Sequence, residues 1–333
     1  MTPLRMGVLG AARIVPTALL TPARSVPEVV VTAIAARDPR RARAFATTHR
    51  IPRALESYDE LVRDPDIDAI YNPLPNGLHG EWTIRALDAG KHVLCEKPLA
   101  SNAAEAEEMA TAAERNGRVL MEAFHWRYHP LAARMLSIVT DGTLGAIQRI
   151  ETNMCVPLML PGNIRYDYAL GGGATMDTGC YAVSMLRHLA GAEPEVTHAE
   201  AKLSSPKVDR CMTADVTFAD GRTGRVRCSM FSWTLFDISL RVVGDRGEMR
   251  AFNPVAPQFF HRLTVRTAES KRVEHVPGRS TYEHQLRAFA DCVTNGTPVL
   301  TSARDGVANM RVIDRIYEKA GLPLRGSPKM APR

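Results

Sequence analysis

Lysine is scarce in this chain: of 42 Lys and Arg residues only seven are lysine, namely Lys91, Lys97, Lys202, Lys207, Lys271, Lys319 and Lys329. A lysine set at a chemically suggestive place therefore stands out. Metal-type cysteine spacing is missing as well. The six cysteines (Cys95, Cys155, Cys180, Cys211, Cys228, Cys292) are scattered, with no CxxC pair and no Cys/His spacing, and they read as reduced, mostly buried small residues, with no metal expected. No segment approaches the roughly 20 apolar residues of a membrane helix, so no membrane partner is expected. Met1 is followed within a few residues by a strand, which leaves no room for a signal peptide and makes a cytoplasmic location the expectation. Basic residues exceed the 36 acidic ones only mildly and form no run. That pattern suits an anionic small ligand and argues against nucleic acid, which calls for a concentrated stripe. Internal repeats and low-complexity tracts are missing too.

What is present is enough apolar residue, 45% of 333, for two cores. Up to about residue 124, short apolar runs alternate with helical patterns. Leu4–Leu9, Glu28–Ala35, Ile67–Tyr71, His92–Cys95 and Arg118–Met121 read as strands. Asp38-Pro39 supplies an N-cap and a proline at the first helical position for a helix over Arg40–Thr48. Asn102 with Glu105 reads as a capping box for a helix that Gly117 closes, and Gly90 ends a helix beginning near His79. Such alternation predicts an α/β domain over residues 1–124 with a doubly wound parallel sheet.

After residue 145 the texture changes. Ala146–Val156, Val196–Lys202, Ala214–Phe218, Gly224–Met230, Ile238–Val243, Glu248–Phe252 and Leu263–Arg266 are strand candidates separated by turn signals such as Asp220-Gly221. Helices are expected near Thr178–Leu189, Tyr282–Thr294 and Ser302–Ala320. The second domain, residues 125–333, is thus expected to be α+β with a large open, mainly antiparallel sheet whose broad face suits pairing into a homodimer or higher homo-oligomer.

Four strings carry chemistry. The first strand runs into Gly10-Ala11-Ala12-Arg13-Ile14, where a dinucleotide fold bends its backbone beneath a pyrophosphate and the following helix offers N–H groups. Gly10 fits the first small position, Ala12 the second and Val15 the third; taken alone, the string is also compatible with an ordinary strand-to-helix turn. The second strand ends in Arg37-Asp38. Arg37, supported by Arg41, favours the 2′-phosphate of NADP(H) over NAD(H), the competing reading being that Asp38 grips the ribose. The third strand delivers Pro73-Leu74-Pro75-Asn76-Gly77-Leu78-His79, with Pro73, Leu74, Asn76 and His79 as cofactor-edge candidates, although His79 also reads as a structural helix start. The fourth is Lys91-His92-Val93-Leu94-Cys95-Glu96-Lys97-Pro98. A lysine in a partly desolvated pocket can exchange a proton with a substrate hydroxyl near neutral pH, and the plainer alternative is a surface lysine after a strand.

Ala89 to Pro98, together with the Gly-Ala-Ala-Arg-Ile turn and Gly171-Gly172-Gly173-Ala174-Thr175-Met176-Asp177-Thr178-Gly179-Cys180-Tyr181, resembles the Gfo/Idh/MocA oxidoreductases over nearly the whole chain. The resemblance implies a Rossmann domain and an open-sheet domain, with Lys97 as catalytic acid/base, Glu96 beside it at the cofactor, and Asp177 and Tyr181 toward the substrate. Where many members have histidine this chain has Tyr181, similar to the branch of glucose-fructose oxidoreductase, xylose dehydrogenases and dimeric dihydrodiol dehydrogenases. On an α-helix Asp177 and Tyr181 would share one face. Glu122 and Arg127, in Glu122-Ala123-Phe124-His125-Trp126-Arg127, are cofactor- or substrate-edge candidates, and Arg165 is a substrate candidate. The activity implied is hydride transfer between a nicotinamide dinucleotide and a secondary alcohol or carbonyl carbon of a sugar, sugar derivative or cyclic diol. The alternatives are an NAD(H)-preferring polyol dehydrogenase, or a catalytically idle sensor of dinucleotides. Loops 157–170 and 231–237 are expected to shape the pocket.

Overall fold

The computed structural model describes residues 2–158 and 162–326; part of the expected pocket loop, residues 159–161, and Lys329 lie outside the described residues. In chain order the elements are β1 (Leu4–Leu9), a π-helical turn Pro16–Leu20, α1 (Thr21–Ala23), β2 (Val29–Ala35), α2 (Pro39–His49), β3 (Arg53–Leu55), α3 (Tyr58–Arg63), β4 (Ala69–Asn72), α4 (His79–Asp88), β5 (His92–Cys95), α5 (Ala103–Asn116) and β6 (Leu120–Glu122). There follow α6 (Pro130–Thr140), β7 (Ile147–Cys155), α7 (Cys180–Ala190), β8 (Glu195–Ser205), β9 (Val208–Thr217), β10 (Thr223–Ser229), β11 (Asp237–Gly244), β12 (Gly247–Phe252), β13 (Arg262–Thr267), β14 (Lys271–Glu274), α8 (Thr281–Asn295) and α9 (Ala303–Lys319).

Among the described residues, β1 to β6 form a parallel sheet in the order β3-β2-β1-β4-β5-β6, the doubly wound arrangement expected. Punctuation explains the helices. Asp38 accepts the Arg40 N–H at 2.9 Å to start α2, and Arg50 ends it in the left-handed region at φ 58°. β3 and α3 were not expected. β3 has three half-buried residues and no apolar run to mark it, while α3 is six residues opened by Ser57, which accepts the Glu60 N–H at 3.0 Å.

The chain divides into two compact units. The first comprises Met1–Ala100, Ala104–Tyr128 and Arg279–Val307; the second comprises Ser101–Ala103, His129–Gly278 and Ala308–Arg333. Thus α8 returns to the parallel-sheet unit. Its buried Leu286, Phe289 and Ala290 join Leu4, Val8, Val15, Leu19, Leu94 and Met121 in one apolar core. Burying each of the larger side chains contributes roughly 1.5–3 kcal/mol.

In the second unit the described strands form an eight-stranded sheet, β14-β13-β12-β11-β7-β10-β9-β8, antiparallel except where β10 runs parallel to β7. One face carries α7: Thr152 donates to the Ala182 carbonyl at 2.9 Å. A Cβ at Gly224 would stand 2.8 Å from Leu186, so the helix approaches the sheet where only glycine fits. Another set of strand side chains holds an ion-pair ladder, Arg149–Glu151–Arg241–Glu248–Arg250. α6 and β14 were also not expected. Among the described residues no helix is long and apolar enough to cross a membrane.

Candidate active site

In the first unit the candidate residues gather at the carboxyl ends of β1, β4 and β5, where parallel strands all point their backbone toward one edge. Gly10 turns with φ 88° and donates to the Ala35 carbonyl at 2.7 Å. A Cβ there would meet Leu74 at 3.0 Å, so the backbone bend next to the Pro73-Leu74-Pro75 loop requires glycine. Ala11, Ala12 and Ile14 are partly exposed, and Arg13, Arg37 and Arg41 are exposed. Asp38 is committed elsewhere. Its carboxylate caps α2 and pairs with Arg40 at 3.3 Å, which holds it below the usual carboxylate range. A small-residue bend after β1, next to exposed guanidinium groups at the end of β2, fits a dinucleotide, and Gly10, Arg37 and Arg41 would hold it.

Lys97 is partly buried on the turn after β5, and its peptide to Pro98 is cis. The turn is braced on several sides. Glu96 N donates to the Asn72 carbonyl at 3.0 Å, and Tyr71 donates its hydroxyl to Glu96 Oε1 at 2.7 Å. Leu99 N donates to Glu122 Oε1 at 2.7 Å. His79 is fully buried, with Nδ1 2.9 Å from the Pro98 carbonyl and Nε2 2.8 Å from that of Leu74. It therefore ties the Lys97 turn to the proline loop. Burial holds its pKa down, against those two carbonyls and with the help of the nearby Lys97 charge. His125 behaves alike. Burial, then Lys97, lowers it to about 3; its Nδ1 lies 2.8 Å from the Thr281 hydroxyl, and its ring packs 4.1 Å from that of Tyr282. Two buried imidazoles with depressed pKa values therefore sit within electrostatic reach of Lys97.

The other first-unit candidates are placed as follows. Pro73 and Leu74 are buried and Asn76 is half-buried in its short 3₁₀ turn. Glu122 is fully buried and accepts the Leu99 N–H, and His79 faces the Pro98 carbonyl, so both brace the residues that follow Lys97. Arg127 pairs with Asp305 at 3.4 Å on the segment that returns to this unit. Tyr71, Asn72, His125, Thr281 and Tyr282 were not singled out in the sequence. Tyr71 ends an expected strand, Asn72 follows it directly, His125 lies in the aromatic string and Tyr282 starts an expected helix; Thr281 carries no local signal.

In the second unit the glycine string forms a tight turn. Gly171 and Gly173 have φ of 75° and 139°. Gly172 N donates to the Asp167 carbonyl and Gly173 N to that of Arg165, both at 2.8 Å. A Cβ at Gly172 would stand 2.6 Å from the Arg165 carbonyl oxygen, so no larger residue fits. Thr175–Gly179 then winds as a π-helical turn before α7 begins at Cys180. The expected α-helical face for Asp177 and Tyr181 therefore starts one turn later, since a π turn closes i to i+5. Asp177 accepts from Arg165 Nε at 2.9 Å, which brings two expected substrate residues together. Tyr181 is 7% exposed.

Behind this turn lies a network with no counterpart in the expectations. Asp209 and Arg325 form a 2.9 Å ion pair with both side chains fully buried. Asp209 also accepts Thr175 N and Thr175 Oγ1, each at 2.7 Å, and the Tyr317 hydroxyl at 3.0 Å.

Comparison with known proteins agrees with this architecture. Residues 4–124 match the model of an oxidoreductase family with an NAD-binding Rossmann fold, and residues 132–250 match the GFO/IDH/MocA C-terminal domain. The chain is 37% identical over 318 residues to D-xylose 1-dehydrogenase (NADP(+)) 2 of Haloferax volcanii, covering 94% of this chain and 96% of that one. Among solved structures it resembles an aldose-aldose oxidoreductase from Caulobacter crescentus complexed with glycerol, at 26% identity and TM-score 0.88 over 96% of this chain and 98% of that one. It also resembles a 3-ketoreductase from Actinomadura kijaniata in complex with NADP and TDP-benzene, at 28% identity and TM-score 0.88 over 98% and 100%. The chain belongs to the GFO/IDH/MocA oxidoreductases.

Proposed function

We propose that the protein is an NADP(H)-dependent oxidoreductase acting on a secondary alcohol or carbonyl carbon of a sugar, sugar derivative or cyclic diol. The observation that carries the reading is Lys97, a half-buried lysine on a turn braced by buried neighbours and tied through His79 to the proline loop against which Gly10 bends. When bound, the nicotinamide accepts or donates the hydride. Lys97 takes the hydroxyl proton in the oxidative direction and returns it in the reductive one. Asp177 and Tyr181 orient the substrate oxygen, with Arg165 holding the Asp177 carboxylate. Gly10, Ala11, Ala12, Arg13 and Ile14 receive the pyrophosphate, Arg37 and Arg41 the 2′-phosphate, and Glu96 the nicotinamide end. The relatives support this reading, since the xylose dehydrogenase is named for NADP(+) and the ketoreductase is bound to NADP.

Pairing through the second unit's sheet is part of the same proposal. Phe236, Phe252 and Phe260 run as neighbouring rings 6.1 and 6.0 Å apart, and Trp233, Leu235 and Phe259 are exposed near them in sequence. Apolar residues of this size commonly mark a contact between chains; a second copy is the occupant proposed, and light scattering that gave a monomer mass would refute it.

The test of function mixes the full chain with NADP⁺ and a panel of aldoses, polyols and cyclic diols while nicotinamide absorbance is followed. Turnover of one class supports the proposal. Dinucleotide binding without turnover on any class, in either direction, would favour a sensor. Arg37→Ala is expected to weaken NADP⁺ binding about 10-fold while leaving NAD⁺ binding nearly unchanged; equal losses for both would refute the assignment of the 2′-phosphate.

A further inference from the structure

We propose that Asp209, Arg325 and Tyr317 act as positioning residues, a buried clamp that fixes the glycine turn and through it the orientation of Asp177 and Tyr181. The clamp grips the turn at successive points. Arg325 Nε donates to the Gly172 carbonyl at 2.7 Å, and Asp209 accepts the backbone N–H and the hydroxyl of Thr175 at 2.7 Å each. Gly173 lies between these contacts. A Cβ on it would come 2.3 Å from Asp209 Oδ1 and 2.9 Å from both Arg325 Nη2 and the Tyr317 hydroxyl, so backbone and clamp touch directly. Arg325 is itself held in place: Nη1 donates to the Pro323 carbonyl at 2.8 Å, and the guanidinium carbon lies 4.0 Å from the Tyr317 ring centroid and 5.2 Å from that of Tyr168. Tyr168 in turn donates to the Leu324 carbonyl at 2.7 Å.

The physical reason for assigning orientation to this cluster is the poor return of buried ion pairs as sources of stability. Desolvating both charges offsets most of their attraction, and apolar pairs of similar volume often serve stability equally well. What charges add is direction. Asp209 uses both carboxylate oxygens and Arg325 donates from three nitrogens, so the turn is held at defined angles rather than by shape alone. Asp177 N closes onto the Gly173 carbonyl at 3.0 Å, four residues from the clamped glycine, so a tilt of the turn is passed directly to the carboxylate. A displacement of about 1 Å in such a group costs about 100-fold in rate.

The inference rests on the proposed role of Asp177 and Tyr181, and two separate readouts keep the ideas apart. The variants are Asp209→Asn, Tyr317→Phe and the double replacement Asp209→Leu with Arg325→Met, which leaves no lone buried charge. Each full-length protein is tested for fold by circular dichroism, for NADP⁺ affinity by fluorescence titration, for kcat and KM on the sugar class that is turned over, and for amide exchange over residues 165–181. Expected are NADP⁺ affinities within about 2-fold of the natural chain, a kcat/KM lowered about 10- to 100-fold in the double variant and less in Tyr317→Phe, and faster exchange at 171–177. Arg325→Lys, which keeps the charge, should lose less kcat/KM than the double variant. A folded double variant with undiminished kcat/KM and unchanged exchange would overturn the clamp. If the natural chain turns over nothing, the proposed function falls, and the exchange data alone still decide the clamp: unchanged protection in Tyr317→Phe and the double variant refutes it. Should the double variant fail to fold, Tyr317→Phe carries the test, and unaltered exchange and kcat/KM there would refute it.

Discussion

The two turns that present the candidate groups are braced in opposite ways. The Lys97 turn is held from behind by His79, whose ring nitrogens face two carbonyls, by the Glu122 carboxylate and by strand backbone, with both nearby imidazoles pushed toward neutrality by burial. The glycine turn ahead of Asp177 is held by a full ion pair. The difference suits the roles proposed for each turn. In the proposed mechanism Lys97 changes charge, and a fixed cation packed behind it would oppose the ammonium form, whereas the role proposed for Asp177 asks for a fixed direction, and Asp177 is already paired with Arg165.

The largest effect that would test this contrast is at Lys97. Lys97→Ala should lower kcat by about 10²- to 10⁴-fold with the fold and NADP⁺ affinity retained. Steady-state kinetics and fluorescence titration check this together, and an undiminished kcat would remove Lys97 from the mechanism.

Next comes a buried carboxylate of the second unit that lacks the clamp's full pairing. Asp314 is raised to about 6, by burial first, while its hydrogen bond from Ala103 N at 2.8 Å works the other way. Because the folded pKa lies above the unfolded value, the folded state binds the extra proton. Stability therefore falls as pH rises from about 4 to about 6 and stays reduced above that. Asp314→Asn should raise stability by on the order of 2 kcal/mol at pH 8 and by little at pH 4. Urea denaturation at the two pH values measures it, and equal effects at both would contradict the assignment.

The smallest effect is expected behind the first turn. His79→Leu keeps the volume roughly but leaves a buried carbonyl without a donor, at about 1 kcal/mol in urea denaturation. It should also lower kcat while Lys97 remains present. A stable variant with normal kcat would show that the proline loop and the Lys97 turn hold themselves.

How much of this was legible in the sequence depended on whether the signal was local. The strands Leu4–Leu9 and His92–Cys95 match their expected bounds, and Gly117 ends its helix at φ 58° as its position suggested. Asp38-Pro39 was read as a cap and is one. The short β3 and β14 were missed, having no apolar run, and α6 was missed in the stretch between the aromatic string and Ala146, for which no element was expected. His79 and Glu122 drew attention as chemical types. Their backbone partners, Pro98, Leu74 and Leu99, could not be read, because a hydrogen bond across 5 to 23 residues leaves no trace in composition.

Periodicity and turn residues were enough to determine the fold class, and short motifs to single out the Gly10 bend and Lys97 as candidates, because each depends on neighbours a few residues apart. Tertiary structure alone decided what lies behind those groups. Asp209 and Arg325 are 116 residues apart, and α8 rejoins a unit whose parallel sheet ended long before it in the chain. Burial converts such distant pairs into strong constraints, and only the folded chain determines which pairs are buried.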